Sequence, residues 1–432
     1  MTNSSRDIQG QTPGIHQLKW WVLLLCLPIL MGALQVHLPT LWGGFIGDSA
    51  VYYGMSDSLA RDFDLKYTRD DLVRITAEWP NGPQGILLSA DKDDPTNISY
   101  AKPLLYSLAG APLVRLFKTN GLLLFNSLCF TLLVFLGCLA FPEWEDKRPL
   151  EILVWSVLFF GLTAVPAYIF SLTPDLFNGT LLMAGLVPWV RHRYSRNPRG
   201  MLLLSTLLLG IATAARPPNG LFLLLPCWSL IFPEKSDDER VAPSGSLKKR
   251  LTTFAVVLLV FVAAAAAVYG LSILLTGEGF AYSGFRKRIV DHFPFESPEY
   301  TFLNTGNLMS TETTKFVFHW DSFRHSLSYF FIGRFAGLVP YFFPAFVSLV
   351  ALLPVGGKRK HRTPVLLVII GLYLFHLIYI QSNWHGGSCV VGNRYLISWL
   401  PAFLVVLKRP PTRRLIMVTA LFTALFSGVV IM

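Results

Sequence analysis

Charged residues are scarce in this chain, since Asp, Glu, Lys and Arg make up only 15% of its 432 residues. Soluble domains carry about 25%. The shortage is concentrated in runs without any charged residue, at residues 20–47, 119–142, 251–277, 335–357 and 415–432. A helix that crosses a bilayer needs roughly 20 apolar residues, so runs of this length predict a membrane protein. A cytosolic enzyme, a nucleic-acid-binding protein and a disordered chain are excluded.

Paired cysteines and a cleavable leader are also lacking. The five cysteines lie in or beside apolar runs without paired spacing, which argues against a disulfide framework and a zinc site. Because no His residues are suitably paired either, we predict no cofactor, with a divalent metal left open. The first apolar run has no small-residue cleavage site after it, so we interpret it as a retained span.

The apolar runs predict an all-α polytopic membrane protein with about 11 transmembrane helices (range about 10 to 12). We expect residues 1–432 to form a single membrane domain without a separate soluble domain. The candidate spans are residues 20–42, 119–141, 150–170, 174–190, 201–215, 217–232, 252–276, 326–354, 364–381, 395–407 and 415–432.

The basic residues predict the orientation of these spans. Nineteen of the 37 Lys and Arg residues lie in five short loops, at residues 142–149, 191–200, 233–250, 355–363 and 408–414. By the positive-inside rule these loops and the N-terminus are cytoplasmic. The net charge of +11 is thereby largely explained by topology.

Two long polar segments, residues 43–118 and 277–325, then belong to the outer face, and we call them the outer segments. In the first, the stretch Asp48–Arg74 carries Val51, Met55, Leu59 and Phe63 near helical spacing. This spacing predicts an amphipathic helix along the membrane interface.

Asp48 follows the first span directly and is the leading catalytic candidate. A partly desolvated carboxylate at the membrane boundary is suited to accept a proton from a hydroxyl group. Asp48 could equally cap the following helix, and the two roles can coexist. Tyr52 and Tyr53 belong to the same cluster, Gly47–Tyr53, and are further candidates.

Isolated cations near the outer face form a second candidate group. Lys102, Arg216 and Arg394 each need a partner at membrane depth, and a phosphate suits them because Arg binds it bidentately. The alternatives are snorkelling to water or an internal pair with Asp175 or another carboxylate. For Arg286–Arg288, which includes Arg288 as a site candidate, a lipid headgroup is an equal alternative.

A third cluster lies in the loop before residue 395. Two glycines follow Trp384 and His385, which indicates a tight turn that approaches a ligand closely. His385 is a candidate for ligand contact, although a lone His is more often structural. Asp175 could bind ligand or simply begin a helix after Pro174.

The order of these motifs resembles the GT-C superfamily of polytopic glycosyltransferases, which includes the protein O-mannosyltransferases and the lipid A aminoarabinose transferases. The resemblance covers residues 40–400, and each motif is short. The matching motifs are Gly47-Asp48 with a following Tyr, Arg61–Leu65, Lys102–Tyr106, Thr173–Asp175, Ala215–Pro217, Trp384–Gly387 and Gly392–Tyr395.

The resemblance implies an enzyme that transfers a sugar from a polyprenyl-phosphate carrier to a glycan, lipid or protein acceptor. Asp48 matches the family's catalytic base, and Lys102, Arg216 and Arg394 match its donor phosphate-binding positions. Family members often carry a second acidic residue where this chain has Ser49. The implied location is the bacterial cytoplasmic (inner) membrane, with the active site on the outer face and membrane lipid around it.

Elementary chemistry is compatible with an inverting transfer. One carboxylate and a few cations suffice for a single displacement with a phosphate leaving group, whereas a retaining enzyme needs two close carboxylates. The rival hypotheses are a lipid or polysaccharide transporter or flippase and an inactive scaffold of the same fold. No nucleic acid partner is expected.

Overall fold

The computed structural model describes residues 15–42, 45–90, 94–232, 247–276, 285–308, 318–351, 362–381, 383–387 and 391–431. These residues are mostly helical. The α-helices are α1 (Ile15–Gln35), α2 (Leu38–Trp42), α3 (Asp48–Arg61), α4 (Arg69–Glu78), α5 (Leu104–Phe117), α6 (Thr119–Cys138), α7 (Pro149–Gly161), α8 (Asp175–Arg191), α9 (Pro198–Ala215), α10 (Leu224–Ile231), α11 (Leu247–Thr276), α12 (Trp320–Ile332), α13 (Leu338–Tyr341), α14 (Phe343–Val350), α15 (Thr363–Tyr379), α16 (Arg394–Val405) and α17 (Arg413–Ile431). Short 3-10 helices cover Val165–Ile169, His192–Tyr194 and Pro217–Leu223.

Several of these helices have the apolar character that a membrane requires. Among the described residues, Thr119–Cys138, Pro198–Ala215 and Lys248–Thr276 are long and apolar enough to cross a bilayer. Six shorter apolar helices have 10 to 17 residues. The chain is therefore consistent with a membrane-embedded protein, while the number of 11 spans stays a prediction.

The segment predicted as one span at residues 326–354 is not a continuous helix. It is divided among α12, α13 and α14, because Gly333 ends α12 and Gly337 precedes α13. His319 beside α12 bonds to Gln381, and Phe335 after it accepts a hydrogen bond from Gly392. The residues on either side of α12 thus contact Gln381 and Gly392.

The first outer segment also differs from the prediction of a long interfacial helix. The helix from Asp48 ends at Arg61, and Phe63 takes a positive φ of 61° before α4 begins. Twelve of the 14 residues of α3 are buried, so α3 is a core helix packed on α5 and not an amphipathic surface helix. A capping box between Thr68 and Asp71 starts α4.

The two outer segments are joined by β-structure, which the all-α prediction missed. A four-stranded antiparallel sheet has the order β4 (Ile98–Tyr100), β3 (Ile86–Ala90), β5 (Phe285–Ile289), β6 (Asn307–Leu308). A parallel pair, β1 (Phe45–Ile46) and β2 (Pro83–Gln84), lies beside it. In the sheet Leu87 stands opposite Arg288.

Two hydrophobic cores organise the chain. The larger lies mainly among the bundle helices from α6 to α17 with part of α1, and the smaller is formed mainly by α3, α4, α5 and the sheet. Phe125 and Phe177 pack against both cores. Their boundary is where the charged side chains described next collect.

Candidate active site at five helix ends

Five charged side chains from distant parts of the chain meet at the boundary of the two cores. They are Asp48, Lys102, Asp175, Arg216 and Arg394, linked by ion pairs, and we call them the ion-pair cluster. Each stands at a helix end: Asp48 begins α3, Lys102 precedes α5, Asp175 begins α8, Arg216 follows α9 and Arg394 begins α16.

Local sequence explains why the helices begin or end at these positions. Pro103 and Pro174 precede the first residues of α5 and α8, where proline is tolerated because no helical N–H is needed. Pro217 disfavours a helical conformation at Arg216, whose backbone is extended. The Asn393 side chain accepts the backbone N–H of Leu396 and so caps α16.

Asp48 bridges two cations. Its Oδ1 lies 2.8 Å from Lys102 Nζ, and its Oδ2 lies 2.9 Å from Arg394 Nη1. The Asp48 side chain remains 26% exposed. Gly47 is the N-cap residue, and Asp48 makes no side-chain capping bond. Asp48 is therefore not the N-cap residue of α3, which was the alternative to a catalytic role.

Asp175 is the buried counterpart of Asp48. Its Oδ2 lies 2.6 Å from Arg394 Nε and accepts a hydrogen bond of 2.9 Å from Thr173 Oγ1. Its Oδ1 lies 3.8 Å from Arg216 Nη1. With a side chain only 4% exposed, Asp175 is engaged by protein groups. The internal pairing that was one alternative for Arg216 and Arg394 is what the structure contains.

Aromatic rings enclose the guanidinium of Arg216. Its Cζ lies 4.5 Å from the ring centre of Tyr395 and 5.1 Å from that of Trp399, distances typical of cation–π contacts. Nη1 also donates to Ser398 Oγ at 2.5 Å. Trp399 is held in turn by a hydrogen bond from its Nε1 to Asn219. These contacts fix the direction of Arg216 before any ligand is bound.

The loop before α16 packs against Arg394 and bonds to its backbone. The backbone N–H of Arg394 donates to the carbonyl of His385 at 3.0 Å. The His385 ring bonds to the carbonyl of Gly387 instead of reaching the ion-pair cluster. Gly386 has a φ of +91°, and a Cβ there would lie 2.8 Å from Arg394 Cβ. The two glycines thus allow the loop to pack closely on Arg394.

The charges of the cluster do not cancel. Two carboxylates face three cations, which leaves one positive charge. Burial alone would raise the pKa of Asp48, but the charges and hydrogen bonds of Lys102 and Arg394 outweigh it and hold this pKa well below its usual range. The N-terminus of α3 favours the same ionised state. The cluster therefore presents an ionised carboxylate beside excess positive charge.

Arg288 lies at the rim of the cluster. It is exposed on β5, and its Nε is 3.2 Å from where a Cβ on Gly85 would be. The same point is 3.2 Å from the backbone nitrogen of Gly47. The sheet thus places the Arg288 side chain near Gly47, the residue that precedes Asp48.

The two tyrosine candidates have different positions. Tyr52 is buried with its ring edge-on to Tyr106, and it interacts electrostatically with Arg394. Tyr53 donates its hydroxyl to the carboxylate of Glu78 on α4. Tyr52 therefore adjoins the cluster, whereas the described contacts of Tyr53 join α3 to α4.

Sequence reasoning missed Ser398, Trp399 and Asn219, and it included Tyr395 and Thr173 only as members of motifs. Tyr395 and Trp399 are four residues apart on α16, as are Arg394 and Ser398, so a helical projection could have placed all four together. No sequence signal connects Asn219 to Trp399. Among the described residues, no group of three or more His, Cys, Asp and Glu side chains is placed to hold a metal ion.

Comparison with known proteins gives limited similarity. No family model and no curated protein matches the chain. Two crystal structures of ArnT from Cupriavidus metallidurans, one bound to undecaprenyl phosphate and one in the apo state, are each 14% identical with a TM-score of 0.46. Each comparison covers 90% of this chain and 59% of the other, so the matched part spans less than two thirds of the length of the ArnT chain. At this level of similarity, neither structure identifies a family.

Proposed function

We propose that the protein is a membrane-embedded inverting glycosyltransferase that moves a sugar from a polyprenyl-phosphate carrier to an acceptor hydroxyl on the outer face. The observation that carries the proposal is the partly exposed Asp48 carboxylate between Lys102 and Arg394. A base and phosphate-binding cations are the two groups that such a transfer requires. Here they occupy one place at the ends of apolar helices.

In the proposed step the acceptor hydroxyl oxygen attacks the anomeric carbon of the donor sugar. The bond from that carbon to the phosphate oxygen breaks, and its electron pair leaves with the polyprenyl phosphate. Asp48 takes the hydroxyl proton, while Lys102 and Arg394 stabilise the charge that grows on the phosphate. Asp175 holds Arg394 and Arg216 in position, and the displacement inverts the anomeric carbon.

The charge of the cluster suits the proposed donor. A sugar phosphodiester carries one negative charge, which matches the single excess positive charge of the five side chains. Arg216 adds a guanidinium that is already oriented by Tyr395 and Trp399. Preorganised cations stabilise a leaving phosphate without the cost of reorientation during the reaction.

An open apolar groove on α15 offers a place for the lipid tail. Its volume is about 500 Å³, and it is lined by Gly371, Leu374, Phe375, Ile378 and Tyr379. On the same helix His376 packs against the rings of Tyr395 and Trp399. The groove and the residue that packs against these rings thus lie on different faces of one helix.

The proposal is tested with the purified protein in lipid nanodiscs, given a radiolabelled polyprenyl-phosphate sugar and a panel of acceptors. We expect labelled acceptor and free polyprenyl phosphate to form together. Asp48→Asn should slow transfer by about 10² to 10⁴-fold, the usual contribution of a general base.

Asp70→Asn is the matched control, because Asp70 is an exposed residue on α4 outside the cluster. It should transfer at the wild-type rate. Full transfer by Asp48→Asn would refute the role of Asp48. Movement of intact donor across the membrane without its cleavage would favour a flippase instead.

A further inference from the structure

Of the two carboxylates in the ion-pair cluster, that of Asp48 is the more exposed, and it lies between two cations. From this position we infer that Asp48 occupies the site of the donor phosphate in the ligand-free protein, and that the arriving phosphate displaces it and so frees the base. This inference rests on the proposed function and adds a control of the same site: the base becomes available only when the donor is bound.

The ligand-free contacts of Asp48 weaken it as a base. Each carboxylate oxygen holds one cation, at 2.8 Å for Lys102 Nζ and 2.9 Å for Arg394 Nη1. A phosphate would use the same two donors, since charge-assisted bonds to Lys and Arg are its usual contacts. Asp48 and the phosphate therefore compete for one pair of cations.

The two carboxylates of the cluster differ in how firmly they are held. Asp175 is 4% exposed and is bound by Arg394, by Arg216 and by the hydroxyl of Thr173. Asp48 is 26% exposed, and among the described residues it pairs with the two cations. Displacing Asp48 leaves Arg394 with Asp175, whereas displacing Asp175 would deprive two half-buried arginines of their shared partner. The phosphate thus exchanges with Asp48.

The residue before Asp48 leaves open space and a fixed backbone. Gly47 lacks a side chain, and a Cβ built there would meet no atom within 4 Å. The backbone at Gly47 is itself anchored, because its N–H donates to the carbonyl of Gln84 at 2.7 Å. The exchange requires the Asp48 side chain to turn away from the two cations, and its 26% exposure gives it access to solvent.

The electrostatics support the same order of events. The two cations hold the pKa of Asp48 well below its usual range against the effect of burial. A general base works best with a pKa near the working pH. When the phosphate binds Lys102 and Arg394, these cations no longer stabilise the ionised Asp48 carboxylate. The phosphate also adds a negative charge beside it. Both changes raise the basicity of Asp48 when an acceptor must be deprotonated.

The test measures equilibrium binding of undecaprenyl phosphate, a lipid phosphate without sugar, to the full chain in nanodiscs. A protein whose binding-competent state is only a fraction of the population binds more weakly by that fraction. We expect Asp48→Asn and Asp48→Ala to bind about tenfold more tightly than wild type, although they fail in transfer. Lys102→Met should bind more weakly.

Two carboxylate variants serve as controls. Asp70→Asn removes a charge outside the cluster and should bind as wild type does. Asp175→Asn removes a charge that contacts the same arginine but should not tighten binding, because Asp175 is the fixed partner. Thermal unfolding of each variant shows whether it is folded.

The outcomes separate the two proposals. If lipid phosphate binding depends on Lys102 but both Asp48 variants bind no tighter than Asp70→Asn, displacement is wrong and the phosphate site stands. Equal tightening by Asp175→Asn would also overturn displacement, because loss of any nearby charge would then suffice. If wild type fails to bind, or Lys102→Met binds equally well, the proposed phosphate site itself is wrong.

Discussion

At the scale of single residues, Asp48 and Asp175 show how burial separates two identical side chains. Both begin a helix and both contact Arg394, yet the Asp48 side chain is 26% exposed and that of Asp175 is 4% exposed. A buried charge that loses its partner is costly, whereas a partly exposed one can turn to water. The two carboxylates should therefore respond differently to the same substitution.

We expect Asp175→Asn to destabilise the protein by about 3 kcal/mol or more, because it leaves the guanidinium of Arg394 with a weaker buried partner. Asp48→Asn should cost about 1 kcal/mol or less. The measurement is the denaturant dependence of unfolding for both variants in the same detergent. Equal losses of stability would contradict the assignment of Asp175 as the structural partner.

The pKa of Asp48 gives a second expectation at this scale. Because the pKa is held below its unfolded value, the ion pairs stabilise the fold at every pH above the unfolded pKa of about 3.9. This contribution is lost as the pH falls through the lower folded-state value. The stability difference between wild type and Asp48→Asn should thus stay constant from about pH 7 to pH 4.5 and shrink only below that range.

Thermal unfolding of the two proteins at closely spaced pH values measures this difference. A difference that already shrinks between about pH 7 and pH 5 would mean that Lys102 and Arg394 do not hold the pKa of Asp48 low.

At the scale of secondary-structure elements, the cluster depends on where helices begin and end. Four of its five members stand at or just before helix N-termini, where the helix dipole favours the two carboxylates. The sequence shows these ends through Pro103, Pro174, Pro217 and the cap Asn393. It does not show that the ends meet, because the packing of α3 on α5 and of α8 on α16 is a tertiary property.

The loop before α16 allows a test of this support. We expect Gly386→Ala to lower transfer at least tenfold, because its Cβ would lie 2.8 Å from Arg394 Cβ and displaces the guanidinium that binds Asp48. A displacement of about 1 Å can cost on the order of 100-fold in rate.

Gly387→Ala is the control for backbone strain. Gly387 also has a positive φ, of +125°, but a Cβ there meets no atom within 4 Å. The Gly387→Ala protein should lose as much stability as the Gly386→Ala protein but retain more transfer activity. Equal activity of the two variants would show that close packing on Arg394 is not required.

At the scale of the whole molecule, the chain places the sheet and the ion-pair cluster on one end of the helical bundle. The predicted orientation puts this end on the outer face, with the basic loop at residues 191–200 on the cytoplasmic side. Val73 on α4 is 57% exposed, and Arg196 is exposed in that loop. These two positions can report the orientation.

We expect a membrane-impermeant thiol reagent to label Val73→Cys in intact cells and Arg196→Cys only after permeabilisation. Each substitution is made in a chain whose five native cysteines are replaced, and the cysteine-free chain is the control for background labelling. Labelling of Arg196→Cys in intact cells, with Val73→Cys protected, would reverse the predicted orientation and move the cluster to the cytoplasmic face.

The fold was predictable in part from local properties. Apolar runs of sufficient length predicted helices that the structure contains, such as α6, α9 and α11, because hydrophobicity and length are read directly from neighbouring residues. The sheet between β3 and β5 was missed because it pairs segments that are far apart in the chain. Residues 326–351 do not form the one continuous helix that the prediction of a single span suggested, because Gly333 and Gly337 interrupt it.

The sequence by itself determined that the chain is apolar and helical, and it drew attention to Asp48, Lys102, Arg216 and Arg394, because isolated charges beside apolar runs are costly wherever they lie. Only the tertiary structure decided which charges are partners. In the structure Asp175 pairs with both arginines, and Asp48 lies partly exposed between Lys102 and Arg394. Ion pairing depends on distances between helix ends, and those distances are set by how the two hydrophobic cores pack against each other.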